Sequence, residues 1–280
     1  MENLILIDTS YVSFYRFFAI IRWLSIAKSE EYKEHISNPK YKWIDDKIFM
    51  EKYEKMYIES IKKILGKKIF SNSQILFCMD SPKETVWRTT EIKCDYKGDR
   101  VDLSKKNDFK PVFKYTYQEI IPKIMKDNQN IRNLKVNNLE ADDIIAIIIK
   151  YYEKINPNKK IYLISGDKDF LQLGRENIYF INFKIKKSVQ YTKEEAKILL
   201  HKKILLGDKS DCITSIFPKN FSTSKKKELC ESIEEFNSWI KENKTCLGKY
   251  QENEKLIDFK KIPENYTKHV IEEFIKLFNL

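Results

Sequence analysis

Short apolar runs that stop at an acid recur along this chain. Leu4-Ile5-Leu6-Ile7 ends at Asp8, and Ile75-Leu76-Phe77-Cys78-Met79 ends at Asp80. Ile161-Tyr162-Leu163-Ile164 leads into Ser165-Gly166-Asp167-Lys168-Asp169. Two further acidic groups are Glu140-Ala141-Asp142-Asp143, at a helix start, and Gly207-Asp208-Lys209-Ser210-Asp211. Uninterrupted apolar runs of this length read as strands buried on both faces, as in a parallel sheet covered by helices. In such a sheet ligands bind outside the carboxyl ends of the strands. The acids therefore point at one crevice, where so much negative charge is unfavourable unless cations neutralise it.

The remaining pattern supplies the helices. Residues 11–27 are aromatic and apolar, residues 49–65 have helical periodicity, and residues 142–154 are isoleucine-rich and end at Asn156-Pro157-Asn158. Thr192 and Glu195 form a capping box that opens another helix. Residues 118–125 predict a helix interrupted by Pro122, residues 29–47 a loop or insertion around Asn38-Pro39, and residues 84–117 a mobile or arched segment over the crevice. Weaker strands are expected at residues 133–136 and 177–182. Strands alternating with helices give an α/β fold with a doubly wound, mostly parallel sheet. From about residue 206 only helices and loops are expected, so the chain divides into a core over residues 1–205 and a small helical lobe over residues 206–280.

Composition narrows the class of partner. The chain has 280 residues, 42% of them hydrophobic, and a net charge of +11. A basic protein with an acidic crevice suits a polyanion held by lysines around a metal centre; a lysine-rich solvated surface is the plainer account. Cys78, Cys94, Cys212, Cys230 and Cys246 are scattered, with no Cys-x-x-Cys pair. That pattern argues against a zinc ribbon or disulfide framework and for a reducing, intracellular compartment. No signal peptide or membrane span is expected.

Carboxylate-rich sites suit Mg²⁺, which takes hard oxygen ligands and keeps several waters. Two such ions roughly 4 Å apart can activate a water and stabilise a leaving oxygen in phosphodiester cleavage. His35, His201 and His269 are the only histidines and none lies near one of these acidic clusters in sequence, so a histidine-based hydrolase fits poorly. Each acid alone has a simpler role. Glu140, Asp142 and Asp143 suit a first helical turn, and the others suit ordinary turns. Their recurrence at one sheet edge favours the metal site.

The motifs in order resemble those of the 5′ nuclease superfamily, which includes flap endonucleases and the 5′–3′ exonuclease domain of bacterial DNA polymerase I. The matching segments are Leu6-Ile7-Asp8, Phe77-Cys78-Met79-Asp80, Tyr96-Lys97-Gly98-Asp99-Arg100, Glu140-Ala141-Asp142-Asp143, Ser165-Gly166-Asp167-Lys168-Asp169-Phe170-Leu171-Gln172-Leu173 and Gly207-Asp208-Lys209-Ser210-Asp211. The resemblance implies a PIN-like fold, an arch or gateway segment at about residues 84–128 and a DNA-binding carboxyl-terminal lobe. It implies two Mg²⁺ ions per site, replaceable by Mn²⁺. Asp8, Asp80, Glu140, Asp142 and Asp143 would serve the first, and Asp167, Asp169, Asp208 and Asp211 the second, with Asp142 or Asp143 able to serve both. Lys97 and Arg100 would reach the scissile phosphate, with Arg88 upstream of them. Phe14 or Tyr15 would stack on a terminal base, while Tyr96 would stack or pack.

Three departures stand out. Thr9 replaces a usual glycine or alanine, and Cys212 a frequent asparagine. No glycine occurs between Ile213 and Lys225, where the family has a glycine-rich helix-hairpin-helix. Lys225, Lys226 and Lys227 could supply phosphate contacts instead, or lie on a solvated helix face. The expected function is a structure-specific 5′ nuclease acting on DNA with a 5′ flap or 5′ end in replication, repair or recombination. It would be a monomer, with a polymerase or recombination factor as a candidate partner. A PIN-type ribonuclease and a non-catalytic DNA-binding protein on the same fold are the alternatives.

Overall fold

The computed structural model describes residues 3–92, 96–97 and 107–279. Six strands form one sheet: β1 (Asn3–Asp8), β2 (Ser73–Met79), β3 (Ile131–Lys135), β4 (Ile161–Ile164), β5 (Ile178–Asn182) and β6 (Lys187–Val189), in the order β3-β2-β1-β4-β5-β6. The first five are parallel, and β6 turns back antiparallel on β5 through a hairpin that pairs Asn182 with Lys187. The sheet is therefore doubly wound and mostly parallel, as the alternation of elements predicts. Its order reverses between β1 and β4, which makes that boundary the switch point where a crevice opens. Asp8 pairs with Cys78 and Ile7 with Ile164, so the carboxyl ends of β1, β2 and β4 are level.

Helices follow in chain order: α1 (Thr9–Ala27), α2 (Ser29–Ser37), α3 (Lys47–Leu65), α4 (Lys67–Ser71), α5 (Trp87–Glu91), α6 (Lys110–Tyr115), α7 (Ile121–Asp127), α8 (Ala141–Ile155), α9 (Lys193–Leu206), α10 (Thr223–Glu231), α11 (Ile233–Glu242), α12 (Lys244–Ile257) and α13 (Glu264–Phe278). Alternate residues of a strand face opposite ways. Ile5, Ile7, Ile75 and Phe77 pack with α1, α3, α6 and α7, while Leu4, Leu6, Leu76 and Cys78 pack with α8 and α13.

Two segments differ from the pattern read in the sequence. Residues 29–47 are not simply a loop. They form α2 and then fold around Trp43, which is fully buried. Asp46 ties the segment down, accepting from the Tyr32 hydroxyl at 3.1 Å, the Tyr41 hydroxyl at 2.9 Å and the Phe49 amide at 2.8 Å as the cap of α3. Nor does Pro122 interrupt its helix. The helix runs on from α6 to α7 through a π-helical turn at Thr116–Ile120, which shifts the hydrogen-bond register just before the residue that has no amide to donate. Its buried side, including Val112, Ile120, Ile121 and Ile124, packs residues 110–127 of the expected arch against the core. Residues 93–95 and 98–106 of that arch lie outside the described residues.

Beyond α9, α10 and α11 close over a small apolar cluster that includes Leu205, Phe217, Leu229 and Phe236. The last helix does not stay with them. Val270 and Phe274 of α13 are fully buried against the α8 side of the sheet. Phe274→Ala therefore has the cost of a core deletion, about 3–5 kcal/mol. Denaturant unfolding should show that loss in a single transition; a change under about 0.5 kcal/mol would mark α13 as a detachable appendage.

Candidate metal centre

Four aspartates reach the crevice from four separate stretches of the chain. Asp8 ends β1 and caps α1, accepting from the Tyr11 amide at 2.9 Å and the Ser165 hydroxyl at 2.8 Å. Asp80 follows β2 and accepts from the Ser10 hydroxyl at 2.5 Å and the Ala141 amide at 2.8 Å, which fixes the start of α8 against the sheet edge. Asp142 comes from the first turn of α8. Asp167 follows β4, its amide donating to Ser165 Oγ at 3.1 Å and its carboxylate receiving the Asp169 amide at 2.9 Å. All four line one cavity of about 530 Å³, together with Glu140, Lys83, Lys97 and Lys184. Gly166 lets the Tyr11 ring approach its wall, since a Cβ there would lie 2.4 Å from that ring and displace it.

Among the described residues that line this cavity, five carboxylates face three lysines. Burial, and then Asp80, push the Asp8 carboxyl up to about 7. Burial, Asp167 and Asp8 push Asp142 well above the carboxylate range. No histidine or cysteine lines the cavity among the described residues, so its donors are hard oxygens. A hard divalent cation fits this set, with Asp8, Asp80, Asp142 and Asp167 the residues that would hold it.

Glu140 and Lys97 form a different unit. Lys97 Nζ contacts Glu140 Oε1 at 2.6 Å, and the Tyr96 hydroxyl donates to Glu140 Oε2 at 3.1 Å. Burial would raise the Glu140 carboxyl, but Lys97 and Arg88 outweigh it and hold the group below its usual range. Lys97 has a left-handed backbone, φ 58°. Its amide donates to the Asp211 carbonyl at 3.1 Å, and its carbonyl receives Lys83 Nζ at 2.7 Å. Tyr96 is buried, which makes it a packing residue rather than a stacking surface. Arg100 lies outside the described residues.

Asp143 and Arg88 are placed elsewhere than their motifs suggest. Successive residues of a helix point about 100° apart, so Asp142 and Asp143 cannot both face the crevice. Asp143 is fully buried and takes a two-pronged contact from Arg88, at 2.7 and 2.9 Å, and the Trp87 indole at 3.0 Å. Arg88 is only 2% exposed and also donates to the Leu256 carbonyl at 2.9 Å. Neither Asp143 as a metal ligand nor Arg88 as a DNA contact is compatible with that burial; the pair instead bolts α5 to α8 and α12.

Asp169, Asp208 and Asp211 gather as a second group, with carboxylate oxygens within 4.8 Å of one another. They do not line the crevice. Lys203 forms ion pairs with both Asp169 and Asp208. Burial would raise Asp208, but Lys203 and Ser210 pull it down to about 2. The chain reverses here through Gly207, φ 73°, whose Cβ would meet the Ile213 carbonyl at 2.3 Å. The glycine-free stretch that follows is held by Asn253, which donates to the Ile204 and Thr214 carbonyls at 2.9 Å each, and by Phe217 stacked on Phe221. Lys225, Lys226 and Lys227 lie in α10 and none lines the crevice; Lys225 pairs with Glu228 at 2.7 Å.

Phe14 lines the crevice, whereas Tyr15 stacks on Phe183 at 4.8 Å and does not. Sequence reasoning overlooked Ser10, Lys83, Lys184 and Lys203. Ser10 and Lys83 each follow a crevice aspartate by two or three residues, and that proximity was a usable signal. Lys184 and Lys203 reach their places through the β5–β6 hairpin and the exit of α9, which no local pattern announces.

The neighbours Asp142 and Asp143 should respond oppositely to the same substitution. Asp143→Asn breaks a buried ion pair and costs about 3–5 kcal/mol. Asp142→Asn relieves repulsion, so in chelator its thermal midpoint rises above wild type. It also shrinks the stabilisation that a divalent cation gives, which for wild type reaches about 2.7 kcal/mol at a hundred times its Kd. Thermal scans with and without added cation test both; equal effects at the two positions would contradict the assignment.

A family model described as 5′–3′ exonuclease, N-terminal resolvase-like domain, matches residues 3–201. A protein named ribonuclease H from Enterobacteria phage T4 is 27% identical over 248 residues, covering 81% of this chain and 78% of that protein. A 5′–3′ exonuclease from Buchnera aphidicola subsp. Schizaphis graminum is 28% identical over 167 residues, covering 57% of this chain and 53% of its own length, so the match spans about half of that relative. A crystal structure of a bacteriophage T5 flap endonuclease variant, in a pseudo-enzyme-product complex with DNA and metal ions, superposes with a TM-score of 0.61 at 14% identity and covers 100% of both chains. That likeness concerns the fold, while the family match rests on sequence over most of the chain. With its level strand ends and convergent carboxylates, the chain belongs to the 5′–3′ exonuclease, N-terminal resolvase-like family.

Proposed function

We propose that this protein is a divalent-metal-dependent nuclease that hydrolyses DNA phosphodiesters at 5′ ends or 5′ flaps. The observation that carries the reading is the convergence of Asp8, Asp80, Asp142 and Asp167 on the crevice at the β1–β4 switch point. A bound divalent ion would supply Lewis-acid stabilisation of the charge that develops on phosphate oxygens. Mg²⁺ is the physiological candidate, with Mn²⁺ able to replace it. A second ion would be held by Asp167 with the Asp169, Asp208 and Asp211 group, where Lys203 now sits.

The chain's own residues have separable tasks. Lys97 brings a cation to the crevice wall, and Glu140 and Tyr96 fix where its ammonium points. Lys83 braces the Lys97 backbone through its carbonyl. A cation fixed before substrate arrives stabilises phosphate charge without reorganising during the reaction. Ser10 and Ser165 orient Asp80 and Asp8. Phe14 offers a ring at the crevice mouth on which a base can stack regardless of sequence.

A second reading takes RNA as the substrate. The name of the phage T4 relative, ribonuclease H, favours it. End-labelled 5′-flap DNA, the matching substrate with an RNA strand and single-stranded RNA separate the readings. Cleavage of the flap DNA near its junction with Mg²⁺ or Mn²⁺, absent in chelator and in Asp167→Ala, is the expected result. Cutting confined to RNA would replace the DNA reading. Activity retained in Asp167→Ala would remove the carboxylates from the reaction. Lys97→Ala should lower kcat by about 10²–10³-fold while leaving DNA affinity nearly unchanged; single-turnover rates beside equilibrium binding check the split.

A further inference from the structure

Three successive hydroxyl-bearing side chains ahead of Pro122 each reach another helix. The Tyr115 hydroxyl donates to Glu54 Oε1 at 3.0 Å, and Thr116 Oγ1 lies 3.0 Å from the Tyr53 hydroxyl, so α3 holds this stretch at two points. The third, Tyr117, turns instead to α1, where its hydroxyl lies 3.1 Å from Ser10 Oγ. Thr116 and Tyr117 open the π-helical turn that runs to Ile120. Such a turn takes in one residue more than an α-helical turn and re-aims the side chains it carries, and turns of this kind recur at functional sites.

The direction of these hydrogen bonds follows from their protons. A serine hydroxyl has one proton and two lone pairs. Ser10 gives its proton to Asp80 Oδ2, so only its lone pairs are left for Tyr117, which must be the donor. The phenol is in a state to donate. Burial raises it furthest above its usual range, and Asp80 and Asp8 add to that, so it keeps its proton. The bonds therefore run one way, from Tyr117 to Ser10 to Asp80.

Ser13, one turn further along α1, is the contrast. It too contacts a tyrosine hydroxyl, that of Tyr57 at 3.1 Å, but gives its proton to the Thr9 carbonyl at 2.8 Å, so no carboxylate receives it. Bonding back to the preceding turn is a common choice for a serine inside a helix. At Ser10 the tyrosine occupies one lone pair and limits where the single proton can point. Donors in series also strengthen one another. The other Asp80 oxygen is fixed separately by the Ala141 amide at 2.8 Å.

We propose that Tyr117 is a positioning residue for the metal centre: through Ser10 it sets the orientation of the Asp80 carboxylate, and with it the affinity of the crevice for a divalent cation. Tyr117 does not line the crevice, so it acts only through Ser10. The proposal rests on the metal-dependent reading of the site, and its test measures cation binding rather than cleavage.

The full chain is titrated with Mn²⁺, free ion being followed by electron paramagnetic resonance, and thermal midpoints are recorded in chelator. The Kd is read for the ion whose uptake Asp80→Asn removes. Ser10→Ala should weaken its binding roughly 10-fold, the usual effect of losing a partner of a metal ligand. Tyr117→Phe, which removes only the hydroxyl, should weaken it roughly 3-fold or more. In the double variant the loss should equal that of Ser10→Ala alone, because residues that act through one another are not additive. Tyr57→Phe, which removes the hydroxyl at Ser13, should lower the thermal midpoint without changing Mn²⁺ affinity. Mn²⁺ affinity unaltered by Tyr117→Phe, losses that add in the double variant, or an equal loss in Tyr57→Phe would overturn the link. Wild type that takes up no Mn²⁺ would overturn the metal centre and the link together, so the two failures are told apart.

Discussion

Repulsion among carboxylates gathered in one crevice is the constraint on which this structure is organised. Asp8, Asp80, Asp142 and Asp167 come from four separate stretches of a chain that otherwise packs as an ordinary α/β core. Bringing them together opposes folding unless something rigid holds them and something cationic neutralises them. The rigid part is the parallel sheet with its level strand ends. Hydrogen bonds then fix two of the acids: Ser165 and the Tyr11 amide on Asp8, Ser10 and the Ala141 amide on Asp80. The cationic part is divided. Lys97 neutralises Glu140 and Lys203 neutralises Asp169 and Asp208, whereas the four central carboxylates have no such partner among the described residues that line their cavity.

The same arrangement shows how neighbouring acids acquire different tasks. Asp142 and Asp143 are chemically identical and adjacent, yet one faces the crevice and the other is sealed beneath Arg88 and Trp87. The sealed pair links three helices and holds Glu140 at the start of α8, since Arg88 also reaches Glu140 at 3.4 Å. The sealed charge and the crevice-facing charge are thus kept on separate faces of a single helical turn.

Much of this was legible in the sequence. Strands that end on aspartate, the capping box at Thr192 and the isoleucine-rich helix after Glu140 are local signals, and the sheet with its crevice follows from them. What escaped depends on contacts between distant segments. Nothing near Asp46 reveals that it gathers Tyr32, Tyr41 and the start of α3 into a buried knot, because its partners are themselves in a polar stretch. Pro122 reads as a helix breaker because the compensating π-helical turn carries no residue signature of its own. The division of labour between Asp142 and Asp143 needed helix phase and the location of Arg88 together. Lys184 and Lys203 enter only through tertiary placement.

The most direct measurement of the central claim is an anomalous difference map from crystals soaked in Mn²⁺. The account predicts a strong peak among the carboxylates of Asp8, Asp80, Asp142 and Asp167, with Asp143 still clamped by Arg88. An empty crevice in crystals that bind Mn²⁺ elsewhere, or a peak coordinated by Asp143 in place of Asp142, would contradict it.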